Sequence, residues 1–220
     1  MAGELFEILS ADGRYRGIMP RAEVHRSGHW HRSVHVFLFD LEDRLWLQRR
    51  AKNKDLFPSR WDLSVGEHLR AGESFARGAL RGLAEELGVP TVTLTALGET
   101  RLYSFEDADS GIQDHELQQA FRAAWSGTPL PDNVEVAEII KIDAATLKAW
   151  IQQAPDDFTP WFLHELLLRP GLGAFSLTPT EVEGVFTGNS SPDPHSDGLP
   201  CRYGHSVQPR LVPSGEPTPT

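Results

Sequence analysis

Residues 66–89 read GEHLRAGESFARGALRGLAEELGV. The spacing predicts a loop that runs into a helix over 73–87, stopped by Gly88 and Pro90. Glu73, Arg77, Arg81 and Glu85 recur every fourth residue and so share one helix face. The helix ends on a carboxylate pair, Glu85-Glu86. Acids near a helix C-terminus oppose the helix dipole, and a bound cation would offset that cost. Paired carboxylates at a loop–helix junction suit a hard divalent ion, above all Mg²⁺. An ion held there could in turn hold a diphosphate.

Outward from this stretch, the chain alternates strands and helices. SVHVFLFD at 33–40 and RLWLQRR at 44–50 are two strong strand patterns joined by an acidic turn, Glu42-Asp43. Residues 4–10 alternate as a strand, and 15–21 read as a second one. Further strands are expected near 91–104, 116–125 and 134–143, and amphipathic helices over 144–153 and 158–169. The class is α/β. From Ala174 onward the chain carries half of its sixteen prolines and few apolar residues. Such a segment buries too little surface to offset its ordering entropy. The expected organisation is a folded domain over 1–173 and a disordered Pro-rich tail over 174–220.

Composition narrows the partners. The chain has 220 residues, 40% hydrophobic, with a formal net charge of -10. That charge disfavours a nucleic-acid backbone. An anionic small substrate would then need a metal or a local basic patch. A single cysteine, Cys201, permits no internal disulfide and points to a reducing, cytoplasmic setting. No stretch is long and apolar enough to suggest a membrane span, and no oligomeric state follows from the sequence.

The 66–89 stretch resembles the signature box of the Nudix hydrolases. Glu73, Arg81, Leu83, Glu85, Glu86, Gly88 and Val89 fall at the spacing of that box. Two positions depart from it. Glu67 stands where the box has glycine, and Gly82 stands where it has a glutamate that binds metal or deprotonates water. One carboxylate is lost and one gained, so Glu67 is expected to replace the missing group as metal ligand or base. The resemblance implies an α/β/α sandwich around a mixed sheet. It casts Glu85 and Glu86 as ligands of Mg²⁺ or Mn²⁺, and Arg81 with Glu73 as an ion pair bracing the loop. Gly82 leaves open a second reading, a module that binds a nucleotide or diphosphate without cleaving it.

The flanking segments are similar to the Nudix branch that contains the type I isopentenyl diphosphate isomerases. The similarity runs over roughly 15–169 and includes RAEVHRSGHWH, LSVGEH and DHE. It implies a divalent metal held by His25, His31, His68, Asp114 and Glu116, of which His68 and Glu116 are the leading candidates. Mixed imidazole and carboxylate ligands favour Mn²⁺ or Zn²⁺. His29 and His35 read as surface or strand residues. The isomerases need a cysteine where this chain has Gly66. Proton transfer at both faces of an alkene needs two positioned groups, so isomerisation ranks below hydrolysis. Arg49, Arg50 and Lys54 form a basic cluster suited to the diphosphate of a small-molecule substrate. Glu67 or Glu116 would take the proton of an attacking water.

Overall fold

The computed structural model describes residues 4–107 and 111–182. Its elements are β1 (Leu5–Leu9), β2 (Tyr15–Pro20), α1 (Arg21–Ser27), β3 (Trp30–Phe39), β4 (Leu45–Arg50), β5 (Trp61–Asp62) and β6 (Val65–His68). There follow α2 (Phe75–Leu87), β7 (Thr95–Ala96), β8 (Arg101–Asp107), β9 (Ile112–Ala124), β10 (Val136–Ile142), α3 (Ala144–Gln153) and α4 (Pro160–Leu168).

β3 is the hub of a mixed sheet. Along one edge it pairs in parallel with β9, from Trp30↔His115 to Phe39↔Ala124. Along the other it meets β1 at its start, β6 in the middle and β4 at its end. Alternation along β3 sorts its side chains by face. Val34, Val36 and Leu38 point to one side, where they pack with Val65, Leu69 and the Ala79, Leu83 and Leu87 stripe of α2. Phe37 and Phe39 point to the other, into a core shared with Leu147 and Ile151 of α3 and Phe162 and Leu166 of α4. The result is the α/β/α sandwich with a mixed sheet that the sequence implied. Residues 174–182, expected in the tail, instead close this second core through buried Phe175, Leu177 and Val182. The remainder of that segment, 183–220, lies outside the described residues, and Cys201 with it.

Local chemistry explains α2. Ser74 caps its first turn by accepting from the Arg77 amide. Gly88 ends it in the left-handed region at φ 61°, returning its amide to the carbonyls of Leu83 and Ala84. Glu73 therefore sits in the loop just before the helix.

Gly82 has a steric reason. A Cβ there would lie 2.6 Å from Val65 Cγ1 and 3.3 Å from Glu67 Cβ. Its absence lets α2 lie against β6 with the stem of Glu67 between them. Gly82→Ala should therefore lower stability by about 1–2 kcal/mol. Overpacking a core costs roughly 1–3 kcal/mol, and the better helix propensity of alanine returns at most about 1. Urea unfolding checks this, and an unchanged midpoint would refute the packing account.

Candidate active site

The N-terminal half of β3 and its neighbours line a cavity of about 260 Å³. Its walls include Arg21, His25, Ser33, His35, Arg50, Lys54, Glu67, His68, Asp114, Glu116, Tyr103 and Trp161. The pairing register explains the convergence. His31 lies beside Glu116, and Ser33 lies beside both Gln118 and His68. α1 brings in His25 behind its one buried apolar residue, Val24.

At one end of the cavity His25, His31, His68 and Asp114 form a nest. One ligand-type atom from each lies within 4.8 Å of the others. Phe6 of β1, fully buried, backs the nest, with its ring centroid 5.5 Å from His31 and 5.0 Å from His68. His31 points Nδ1 at the His29 carbonyl, 3.1 Å away. That contact places the hydrogen on Nδ1 and leaves the Nε2 lone pair facing the nest. Nε2 of His31 lies 3.4 Å from Nε2 of His25 and 3.4 Å from Asp114 Oδ1. Glu116 Oε1 is 3.0 Å from His68 Nε2, within ion-pair range although the pair lacks hydrogen-bond geometry.

The electrostatics suit a cation. Burial and the charges of His68 and its neighbours hold His25 down to about 3 and His31 down to about 4, so both rings are neutral with lone pairs available. Burial and the nearby Glu116 charge push Asp114 up to about 7. Glu116 is buried too, yet His68 and the other histidines hold it well below the usual carboxylate range. Among the described residues, His68 Nε2 and Asp114 Oδ1 are buried without a hydrogen-bond partner. Buried polar atoms that face one another unpaired are costly. A divalent ion would pair them at once, and three imidazoles with a carboxylate are a fitting donor set.

The box residues occupy the other side of β6. Arg81 is their centre. Its Nε and Nη2 donate to Glu73 at 2.9 and 2.8 Å, Nη2 also donates to the His68 carbonyl at 2.9 Å, and Nη1 meets Glu67 Oε2 at 2.8 Å. The guanidinium thus ties the loop, the helix and the strand that carries His68. Glu67 lies against Gly82 and also reaches the cavity wall. Burial pushes its carboxyl up, against the pull of Arg81. Glu86 is buried at the helix–sheet contact. Burial, and then the charge of Glu67, push it up strongly.

Not every expected residue joins the site. Glu85 and Glu86 are consecutive on a helix and so diverge by about 100°. Glu86 turns inward, while Glu85 stays half exposed and pairs with Arg70 at 3.2 Å and Arg81 at 3.3 Å. The groups acting on Glu86 are Glu67, Lys54, Glu135 and Asp132, whereas Glu116 sits among the histidines. Of the carboxylates at 85, 86 and 116, only Glu116 lines the cavity. Arg49 likewise turns away from the cavity, to Glu138 at 3.3 Å and the Ser59 carbonyl. Its strand neighbour Arg50 turns in, held by the Leu56 carbonyl and by Asp62, and stacks 5.1 Å from the centre of Trp161. Lys54 lines the cavity and pairs with Glu135. Arg21, Tyr103 and the buried Asp62 were not singled out in the sequence. Asp62 accepts from Thr159 and Trp161 and so fixes the wall opposite the nest. A contact network spanning nearly a hundred positions leaves no local signal.

Comparison with known proteins agrees with this fold. The NUDIX domain family model matches residues 29–162. An isopentenyl-diphosphate Delta-isomerase of Nocardia farcinica is 37% identical over 161 residues, covering 73% of this chain and 91% of that protein. Nudix hydrolase 3 of Arabidopsis thaliana is 45% identical over 91 residues, covering 40% of this chain and 12% of that protein. The solved structure of DR0079 from Deinococcus radiodurans aligns with a TM-score of 0.55 at 22% identity, covering 68% of this chain and 90% of that one, a likeness of fold. With a family model spanning more than half of its length and a relative matched nearly end to end, this chain belongs to the NUDIX domain family.

Proposed function

We propose that the chain is a divalent-metal-dependent hydrolase of a small molecule carrying a diphosphate linkage. The observation that carries this reading is one cavity with three features: a nest of three histidines and a carboxylate, inward basic groups at Arg21, Arg50 and Lys54, and a basic carboxylate at Glu67. His25, His31, His68, Asp114 and Glu116 would hold a divalent ion such as Mn²⁺, with Glu86 as a further acidic group near Glu67. A bound ion would polarise phosphoryl oxygens and lower the pKa of water. Arg50 and Lys54 would orient the diphosphate, with the guanidinium fork of Arg50 already held in place by Asp62 and Leu56. Glu67, its Oε2 held by Arg81 and its carboxyl raised by burial, would accept the proton of the attacking water.

The isomerase reading has a specific observation in its favour, the near full-length match to the Nocardia farcinica protein. Gly66 weighs against it, because no thiol lines the cavity among the described residues. Pure protein incubated with Mg²⁺ or Mn²⁺ and a panel of nucleoside diphosphate derivatives and isopentenyl diphosphate distinguishes the readings. Phosphate-containing cleavage products support hydrolysis. A dimethylallyl product, or thermal stabilisation without turnover, contradicts it. Within that assay Glu67→Gln should cut kcat by about 10²–10⁴, the usual worth of a positioned base. Undiminished turnover would remove Glu67 from the mechanism.

A further inference from the structure

A second histidine system enters the same cavity from the side away from the nest. β3 presents His31, Ser33 and His35 on one face at a spacing of two. His31 joins the nest, whereas His35 stands four residues further along, roughly 13 Å at the strand rise. Its ring fills the space beside Gly66: Cδ2 lies 3.8 Å from the point where a side chain at 66 would begin. Nδ1 is 3.2 Å from Oε1 of Glu165 on α4. Oε2 of that carboxylate accepts from Arg169 Nε at 2.6 Å. Arg169 in turn is anchored by the carbonyls of Leu97 and Glu99, each 2.9 Å from Nη1. Glu165 and Arg169 are 2% and 1% exposed. The opposite ring nitrogen of His35 meets no protein partner among the described residues, and the ring lines the cavity.

A buried carboxylate that fixes one nitrogen of an imidazole while the other faces a ligand space is an arrangement for moving a proton. We propose that His35 is the proton donor of this site, delivering its Nε2 proton to the bridging oxygen of the diphosphate, with Glu165 and Arg169 as positioning residues. The inference rests on the hydrolytic reading above. In the balanced step, the water oxygen bonds to phosphorus and the water proton passes to Glu67. The bond from phosphorus to the bridging oxygen breaks, and that oxygen takes the His35 proton. Nothing is oxidised or reduced. Burial alone would disfavour the charged ring, but the hydrogen bond and charge of Glu165 outweigh it and raise His35 overall. Glu116 on β9 and Asp62 on β5 add to the rise. Arg169, and His164 on α4, are the positive or ionisable groups on the opposing side.

The test uses the full chain with Mg²⁺ and a diphosphate that it cleaves. His35→Gln should lower kcat by about 100-fold or more while KM and the binding of methylenediphosphonate stay within threefold. The high-pH fall of kcat, where the donor loses its proton, should vanish with it. Glu165→Gln should move that fall to lower pH. In histidine NMR it should shift the His35 titration, identified as the signal missing from His35→Gln, in the same direction. Circular dichroism and methylenediphosphonate binding show whether each variant is folded. If Glu165→Gln does not fold, the pH profile of His35→Gln decides alone. Retention of kcat within threefold in His35→Gln, or a loss that leaves the high-pH fall in place, overturns the proposal. Wild-type protein that binds methylenediphosphonate but cleaves no diphosphate overturns the hydrolytic reading and the His35 role together. Wild-type cleavage with an unaffected His35→Gln removes only the latter.

Discussion

Replacing His68 with alanine should weaken Mn²⁺ binding by roughly 100-fold or more and depress turnover at least in proportion. Loss of a residue that merely supports a metal ligand costs about 10–100-fold, and His68 is proposed as a ligand itself. Its Nε2 lies in the nest, buried without a hydrogen-bond partner among the described residues, 3.0 Å from Glu116. Burial would disfavour its charged form, but Glu116 and Asp114 raise it, so metal must displace a proton there. Binding should therefore tighten as pH rises. Alanine removes the ligand and also frees Glu116 from the partner that holds its carboxyl low. Titration calorimetry across pH measures both effects. Unaltered Mn²⁺ affinity in His68→Ala would place the ion elsewhere.

Replacing Arg81 with methionine should destabilise the fold by about 3 kcal/mol, the low end of the cost of stripping one partner from a buried ion pair, because this network is part-buried. The side chain is only 12% exposed, and Glu67 and Glu73 are 17% and 11% exposed. Without the guanidinium two mutually repelling carboxylates remain, and the His68 carbonyl loses its donor. Lysine should recover little, because one ammonium cannot reproduce a fork that reaches four groups. The sign of the pH dependence follows from Glu73. Burial would raise it, but Arg81 and the Arg70 amide hold it below its usual value. Its contribution is present above the unfolded glutamate pKa of about 4.3 and is lost as pH falls. The deficit of Arg81→Met should thus be largest near neutrality and shrink in acid. Urea unfolding at two pH values measures it, and an equal deficit at both would show that packing, not charge, dominates.

Much of this architecture was legible locally. The alternation of SVHVFLFD and RLWLQRR, and the stop of α2 at Gly88, each follow from local signals that a chain cannot hide. The inward choice of Arg50 over Arg49 and the divergence of Glu85 from Glu86 obey the same periods once the core-facing side is known. What escaped reading depends on topology. α1 was not anticipated beyond the strand reading that ended at Arg21, since seven residues with a single buried apolar side chain carry almost no helical period. β5 and β6 are two and four residues long, too short to announce themselves. His35 looked like an ordinary strand residue because its partner Glu165 lies 130 positions away. Residues 174–182 looked like tail, yet three apolar side chains suffice to pin a segment against a core edge. Gly82, with Glu67, read as an exchange of one carboxylate. Only the stem of Glu67 lying over Gly82 shows the two departures to be sterically linked.

In the proposed hydrolysis, water attacks phosphorus beside the histidine nest. Turnover of a diphosphate substrate in ¹⁸O-labelled water, followed by ³¹P NMR, reads that event directly. The expected result is one labelled oxygen in one of the two phosphorus-containing products, with the yield of label falling alongside turnover in Glu67→Gln. A dimethylallyl product with both phosphorus atoms free of label, or tight metal-dependent binding with no label in any phosphate, would contradict it.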